Sequence, residues 1–510
     1  MVINPKPYIP IKNQDYTGNT VIDLRDIDFK GIKAKPGTIP VTFEFCFFEN
    51  LKIQNTEDID FKDVSVMFNN CYIRNLEISD ILSENISITI HSSLLNGRIS
   101  AKNLKSVHLS NCLLNHGVTL TDQKSIELAY TTENIFPFHW NKMFNKIIGP
   151  SHRRIKPTYR RIIRQKQYYQ IENPQRLNVR SSRKVSDKTG LYLMDCNTVK
   201  MYRIGYRLTK VEEDSLKIHL SINYGEGTAD SETNVNNVIL EALALSGTPS
   251  GKISFENIEV SNWYMSDFNP QKEAAFYNLV PRPLLIEETK IGVHKCNFDN
   301  VWFDNVEFNK FERLSFFRSK LSKANFTSCS FPDQYQRFSK FLAIPNIHYP
   351  EQKPINYHKD QYEMLLQLKK AFDATGNFYE GLKLQAISYA ALQKIAVISG
   401  EDKFILRLNR WSNNHSLSIR RPIYWFLSLT VFFYILYLLS LHRLFNDTAF
   451  DADLIGYYFS FLDITHRSDF LEEKDKLTGW ALGIDYVNKV VTGYLIFQFI
   501  SAFRKYGKNG

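Results

Sequence analysis

The chain has 510 residues, of which 44% are hydrophobic and 23% are charged. This length and composition exclude a disordered protein and allow two or three domains with a sizeable buried core. The formal net charge is +10. The mean hydropathy is polar although the C-terminal region is strongly apolar, so a membrane-embedded part can only be a minority of the chain.

The N-terminal sequence MVINPKPYIPIKNQDYTG lacks the apolar core of about 7–15 residues that a secretory signal requires. We therefore expect the soluble part of the chain to stay in the cytoplasm. The cysteines are widely spaced, with no CxxC pair and no histidine at the spacing of a zinc site. They are predicted to be reduced thiols in the core: Cys46, Cys71, Cys112, Cys196, Cys296 and Cys329.

Apolar residues recur every five positions in two regions, 1–145 and 189–335, and a second apolar residue stands two positions before each. The clearest pairs are Val66/Phe68, Cys71/Ile73, Leu76/Ile78, Cys296/Phe298, Val301/Phe303 and Val306/Phe308. This period fits neither a helix nor a flat strand. It fits a right-handed β-helix whose square coils turn two apolar residues inward on each side. Ordinary strand alternation in an irregular β domain is the alternative.

Two segments, CNFDNVWFDNVEFNK (296–310) and LSKANFTSCSF (321–331), resemble the consensus of the bacterial pentapeptide-repeat family. The resemblance implies a mostly β chain whose β-helices act as scaffolds for other proteins. It also implies exposed corners, for example at Asp299 and Asn300 and at Asp304 and Asn305. Some members mimic DNA with an acidic surface, a role that the net charge of +10 excludes here.

Residues 146–188 form a basic insertion between the two repeat regions. Residues 152–184 contain eleven Lys or Arg and a single acid, Glu172. This segment could contact anionic lipid headgroups or the phosphates of nucleic acid, and we favour lipid because a membrane segment lies downstream. A solvated loop is the alternative. The candidate contact residues are Arg153, Arg154, Arg160, Arg161, Arg164 and Lys166.

Residues 336–421 are predicted to form a helical neck. Leu365, Leu368 and Phe372 lie on one helical stripe, and a second helical pattern follows a break at residues 375–377. Two amphipathic helices with a short break between them predict an αα-hairpin.

Residues 422–510 contain two apolar segments. Residues 423–441 (IYWFLSLTVFFYILYLLSL) carry no charge, and as a helix they would span about 28 Å, which matches a bilayer core. The second segment, residues 480–503, is interrupted by Asp485 and Lys489. These two residues are four positions apart, so on a helix they share a face and can pair. Alternatively, both lie in the membrane interface and only residues 490–503 are deep.

The region 422–506, which closes with GYLIFQFISAFRKYGK, resembles the two-transmembrane ion channel family. It has the same order of outer helix, short apolar stretch (454–462) and inner helix. DITHRSDF follows the short stretch where a TVGYG-like filter would stand, so a potassium-selective pore is unsupported. The short stretch could dip into the membrane between the two helices. The candidate membrane or pore residues are Asp485, Asn488, Lys489 and Gly493.

The sequence contains no Walker A, GxSxG, HExxH or Rossmann glycine pattern, so we expect neither enzymatic activity nor a cofactor. His442 and His466 flank the membrane loop without companions at ligand spacing, and no metal site is predicted.

Three functions fit these patterns. The first is an oligomeric, channel-like or membrane-perturbing protein of the bacterial cytoplasmic membrane, because one hairpin cannot enclose a pore without symmetric assembly. Its cytoplasmic β-helix would sense or dock a protein partner. The second is a non-conducting, membrane-tethered scaffold, which an Asp485–Lys489 pair within one chain would favour. The third is a membrane effector of anti-phage defence, which rests on the basic insertion. Basic residues flank both apolar segments and place both chain termini in the cytoplasm.

Overall fold

The computed structural model describes residues 1–507, except for residues 13, 28–37, 56–62, 70, 82–84, 92, 96–97, 111, 115–117, 122, 124, 132–189, 195, 197, 205–218, 226–231, 283–287, 333–338, 445–452, 472 and 474–475. The basic insertion predicted at 146–188 therefore lies outside the described residues. The chain forms two compact units, Met1–Pro354 and Ile355–Gly510. The finer division into five segments stays a prediction.

The first unit is built from short strands. In chain order the described strands are β1 Ile11–Lys12, β2 Asp15–Asp23, β3 Ile39–Glu44, β4 Phe47–Asn55, β5 Val64–Asn69, β6 Tyr72–Ile81, β7 Ile86–His91, β8 Leu94–Leu95, β9 Ile99–Lys102, β10 Ser106–Ser110, β11 Leu113–Leu114, β12 Val118–Thr121, β13 Ser125–Thr131, β14 Gly190–Met194, β15 Thr198–Ile204, β16 His219–Tyr224, β17 Glu232–Asn236, β18 Ile239–Gly247, β19 Ile253–Ser266, β20 Ala274–Pro281, β21 Lys290–His294, β22 Val301–Asp304, β23 Arg313–Phe317, β24 Asn325–Thr327 and β25 Phe341–Leu342.

These strands form a parallel β-solenoid, because each described pairing is parallel and joins one coil to the next. One column stacks β1, β3, β5, β7, β10, β13, β15, β17, β20, β22 and β24. The other stacks β2, β4, β6, β9, β12, β14, β16, β18, β21, β23 and β25. Strand β19 pairs with strands of both columns. The predicted β-helix is therefore confirmed.

The solenoid core is a ladder of register-matched apolar residues, since parallel stacking places equivalent positions of successive coils on top of one another. Rings in the last coils stack nearly parallel, with the centroids of Phe276 and Phe303 5.4 Å apart and those of Phe303 and Phe326 5.2 Å apart. One line of partners passes through Ile11, Phe43, Phe68, Ile90, Leu109, Leu128, Met201, Val235, Phe255, Phe276, Phe303 and Phe326.

The length of a coil is not constant. The register partners Phe43, Phe68, Ile90 and Leu109 are 25, 22 and 19 residues apart, whereas square coils with sides of five residues would repeat every ~20 residues. The predicted inward positions, such as Val66 with Phe68, are nevertheless buried. Two-residue alternation within each strand thus sets which side chains face inward, and the residues between strands absorb the difference in length.

Asparagine stabilises one corner of the solenoid. Asn237, Asn257, Asn278 and Asn305 all have positive φ angles between 53° and 56°, a conformation that asparagine tolerates better than most residues. The side chains of Asn257, Asn278 and Asn305 each donate to the asparagine on the preceding coil, at 3.0, 2.8 and 2.7 Å. The corner predicted at Asn305 is one rung of this ladder.

The predicted core thiols are confirmed for all six cysteines, which are free and either buried or partly buried. Several thiols hydrogen-bond to a carbonyl of the preceding coil: the Cys71 Sγ lies 3.5 Å from the Phe43 oxygen, and the Cys329 Sγ lies 3.4 Å from the Phe303 oxygen. Cys46, Cys296 and Cys329 each follow a residue with a positive φ angle, so these three cysteines stand directly after a turn of the backbone.

The second unit is helical. Its described helices are α1 Tyr357–Ala374, α2 Phe378–Leu392, α3 Gly400–Asn413, α4 Arg420–Ser440, α5 Asp453–Leu462 and α6 Gly479–Gly507. The break predicted at residues 375–377 separates α1 from α2, and the Asn377 side chain caps α2 by accepting from the Glu380 amide at 3.3 Å.

Among the described helices, α4 alone is long and apolar enough to cross a membrane, with 21 residues and a mean hydropathy of 1.9 over its most apolar window. Helix α6 contains the second predicted span, but it does not meet the same test because four polar residues lower its hydropathy: Asp485, Asn488, Lys489 and Gln498. The predicted two-helix transmembrane hairpin is therefore not confirmed. The short apolar stretch at 454–462 forms the separate helix α5.

Burial raises the pKa of the Cys112, Cys296 and Cys329 thiols to about 12, from an ordinary value near 9.0. At pH 8 we expect alkylation of these thiols by iodoacetamide to be roughly 1,000-fold slower in the native protein than in denaturant, because the reactive thiolate falls about tenfold per pKa unit. These thiols have a higher pKa in the folded than in the unfolded state. Their contribution to the free energy of unfolding is therefore fully present below about pH 9 and is lost as the pH rises toward 12.

Mass spectrometry of peptides from timed labelling provides the measurement. Lys323→Cys adds an exposed thiol in the same segment and serves as the control, which should react at the ordinary rate. Native thiols that react as fast as this control would contradict the buried corner positions.

Candidate functional site

Helices α4, α5 and α6 share an aromatic core. Tyr434 and Tyr437 of α4 pack on Phe461 of α5, with ring centroids 5.3 and 5.5 Å apart, and Ala481 of α6 is buried in the same cluster. The Tyr437 hydroxyl also donates to the backbone carbonyl of Ser468 at 3.1 Å. These contacts hold the loop between α5 and α6 against α4.

The carboxylate of Asp485 lies at the centre of a buried polar network. Its Oδ1 is 2.7 Å from Nε2 of His466, and its Oδ2 is 2.6 Å from the Ser468 hydroxyl and 3.0 Å from Nζ of Lys489. The side chain of Asp485 is 0% exposed and that of His466 is 4% exposed. An unpaired charge at such a position would cost several kcal/mol, so these three donors allow the carboxylate to be buried.

His466 faces hydrogen-bond acceptors at both ring nitrogens. Nε2 faces Asp485, and Nδ1 faces the backbone carbonyl of Asp463. Two states satisfy both contacts: an imidazolium beside an ionised carboxylate, or a neutral imidazole that accepts a proton held on Asp485 Oδ1. Nζ of Lys489 donates to the His466 carbonyl at 2.9 Å and places a positive charge beside the pair. In both states one proton lies between His466 Nε2 and Asp485 Oδ1.

The arrangement differs from a nucleophile and base relay, in which histidine contacts both the nucleophile and the acid. Here Ser468 and His466 both contact Asp485, one on each carboxylate oxygen. Over the part of the chain that the structure describes, no group of three or more His, Cys, Asp or Glu side chains could hold a metal ion. The chemistry that the network supports is charge neutralisation and proton sharing.

The predicted pairing of Asp485 with Lys489 is confirmed by the 3.0 Å contact. Asn488 is buried beside them and donates to the Phe461 carbonyl at 3.4 Å. Gly493 does not join the network, and the space beside its Cα is open. The predicted lipid or nucleic-acid contacts lie outside the described residues: Arg153, Arg154, Arg160, Arg161, Arg164 and Lys166.

Sequence reasoning missed two members of the network. In the sequence, His466 has no companion at ligand spacing and Ser468 belongs to no motif. Their common partner, Asp485, is separated from them by the loop and the first turns of α6. The carboxylate of Asp485 could have predicted them, because a charge within an apolar segment needs hydrogen-bond donors, which a neighbouring polar loop can supply.

Beside their aromatic core, helices α4 and α6 bury several polar side chains and expose large apolar ones. Helix α4 buries Thr430, whose hydroxyl lies 2.9 Å from that of Tyr458, and helix α6 buries Asp485, Asn488, Thr492 and Gln498. Large apolar side chains are exposed on both helices: Ile423, Leu427, Val431, Phe432 and Ile435 on α4, and Val487, Val490, Phe497, Ile500 and Phe503 on α6. A row of exposed apolar side chains on helices that bury polar groups suits a lipid environment.

Comparisons of this chain with protein-family models, curated proteins and solved structures give no match. The resemblances to pentapeptide repeats and to two-transmembrane channels therefore rest on the quoted sequence segments. The solenoid fold is shown by the parallel strand pairing.

We expect Asp485→Asn and Lys489→Met each to destabilise the helical unit by about 3–5 kcal/mol, because each leaves a buried partner uncompensated. The double variant should lose less than the sum of the two, by about 1 kcal/mol or more. Thermal unfolding of the full-length protein in detergent, followed by tryptophan fluorescence, measures these differences.

The matched control is Asp469→Asn, because Asp469 pairs with the largely exposed Arg467 at 3.1 Å. An exposed pair contributes about 0–1 kcal/mol. Additive effects of the two buried substitutions, or an effect of Asp485→Asn no larger than that of the control, would contradict the network.

Proposed function

We propose that this protein is a membrane-anchored scaffold, in which helices α4 and α6 cross the bilayer as a hairpin and the solenoid docks a protein partner in the cytoplasm. The observation that carries the proposal is the combination of exposed apolar and buried polar side chains on helices α4 and α6. Helix α6 buries Asp485, Asn488 and Gln498, whereas both helices expose a row of large apolar side chains. In water, such a surface would drive aggregation.

The basic residues of the sequence support a hairpin whose two ends lie on the same side of the membrane. Arg420 and Arg421 precede the apolar part of α4, and Arg504 and Lys505 follow that of α6. The positive-inside rule assigns both ends to the cytoplasm, in this proposal on the bacterial inner membrane. The solenoid precedes α4 in the chain and would share that compartment.

A scaffold is favoured over a channel because Asp485 is satisfied within its own chain. In an assembled pore, a charge that lines the lumen would be exposed on each protomer. Asp485 is instead fully buried, and Lys489 is 18% exposed and donates to two groups of the same protomer. The solenoid supports the docking role because stacked coils present long regular surfaces to a partner. We also propose that the coils of the solenoid are degenerate pentapeptide repeats, on the basis of segments 296–310 and 321–331.

A channel-like oligomer is the second candidate. The order of a long helix, the ten-residue helix α5 and a second long helix favours it, as does the open apolar face of α6 around Val490, which is 74% exposed and could pack against a second copy. The reading as an anti-phage membrane effector depends on residues 146–188, outside the described part of the chain, and stays a prediction from the sequence.

Purified full-length protein reconstituted into liposomes should leave them as tight to potassium and chloride as protein-free liposomes. Ion-sensitive dyes inside the vesicles provide the measurement, and gramicidin, which conducts monovalent cations, provides the positive control for potassium. A steady flux of either ion through the unsubstituted protein, with insertion verified by flotation, would reject the scaffold and select the channel-like candidate.

A further inference from the structure

Helix α3 turns its polar residues toward the protein. The Ser412 hydroxyl lies 3.1 Å from the hydroxyl of Tyr494 on α6. Asn409 Oδ1 accepts from Gln498 Nε2 at 3.1 Å, and Asn413 Nδ2 donates to the Gln498 carbonyl at 3.3 Å. Ser412 and Asn413 are each only 1% exposed. One face of α3 is thus fixed to α6 by hydrogen bonds.

An apolar stripe runs along the outer side of α3. Phe404, Leu408 and Trp411 are spaced four and three positions apart, so they lie on one side of the helix. Phe404 is 65% exposed and Trp411 is 51% exposed, and the neighbouring Ile405 is 54% exposed. More than half of the surface of each of these three residues is therefore open to the surroundings.

A basic stripe lies directly beside the apolar one. Lys403, Arg407 and Arg410 have the same four and three spacing, one position before the apolar residues. Arg407 and Arg410 are exposed, and none of the three forms a salt bridge within the described residues. Three like charges therefore line one edge of an exposed apolar stripe.

Contacts with α4 place α3 at the level where the span begins. The Trp411 ring packs on Trp425 in the second turn of α4, with centroids 3.7 Å apart. The Arg421 guanidinium donates to the Arg410 carbonyl at 3.1 Å. Tryptophan and arginine are typical of the boundary between headgroups and acyl chains.

We infer that α3 is an interfacial helix that binds acidic phospholipid, with Phe404, Leu408 and Trp411 at the acyl boundary and Lys403, Arg407 and Arg410 on the anionic headgroups. The inference goes beyond membrane anchoring but rests on it. A basic edge beside an apolar stripe is the pattern of helices that lie on anionic membranes. A second copy fits less well, because a symmetric contact along this stripe would bring like charges together.

The test places a fluorophore on Phe404→Cys in the full-length protein, reconstituted into phosphatidylcholine vesicles that contain brominated lipid. We expect brominated phosphatidylserine to quench more strongly than brominated phosphatidylcholine at the same mole fraction. The added substitutions Arg407→Gln and Arg410→Gln should each reduce this anionic preference by about fivefold, since each basic residue near an anionic surface contributes roughly a fivefold preference.

The controls separate the possible failures. A fluorophore on Ile355→Cys, a fully exposed residue before α1, should not be quenched by lipid. Labelling of the unsubstituted protein measures the background from the native thiols.

Equal quenching by both brominated lipids overturns the headgroup site. Self-quenching between labelled copies without lipid quenching shows that a second copy covers the stripe, and also overturns it. If vesicles that float carry the protein, only this inference fails. If the protein does not float with them, the proposed anchoring fails as well.

Discussion

The neutralisation of one buried carboxylate is the constraint on which the helical unit depends. Asp485 needs donors from both its own helix and the preceding loop, and it obtains them from Lys489, His466 and Ser468. Lys489 lies one turn away on α6 itself, and His466 and Ser468 connect the loop after α5 to this helix. Because an unpaired charge is costly in an apolar environment, the bundle can expose apolar side chains only if this network stays closed inside.

The solenoid follows a different principle, since it depends on repetition and not on one centre. Parallel register places apolar residues on apolar residues and asparagine on asparagine from coil to coil. Each coil buries its inner side chains against its neighbours, so coils of 19 to 25 residues stack without loss of the core. Variation in length then falls in the segments between strands, where a docking surface can differ from coil to coil.

Much of this architecture could be predicted from the sequence because its signals are local. Two-residue alternation around Val66 and Phe68 predicted the inward faces, helical spacing predicted α1 and α2, and the four-residue separation of Asp485 and Lys489 predicted their pair. The contact between His466 and Asp485 could not be predicted, because it depends on how the loop folds back on α6. Coil length could not be predicted from a fixed five-residue period, because the segments between strands differ in length. The polar residues of α6 weakened the prediction of a second membrane span.

The most direct test of membrane anchoring is alkaline carbonate extraction of cell membranes that contain the full-length protein. The unsubstituted protein should stay in the membrane pellet. Val431→Lys with Ile435→Lys, on the exposed side of α4, should release it, because each charge near the centre of a span costs about 2.5–3.5 kcal/mol. Tyr379→Lys, at an exposed position of α2, should have no effect. Release of the unsubstituted protein, or retention of the double variant, would contradict the account.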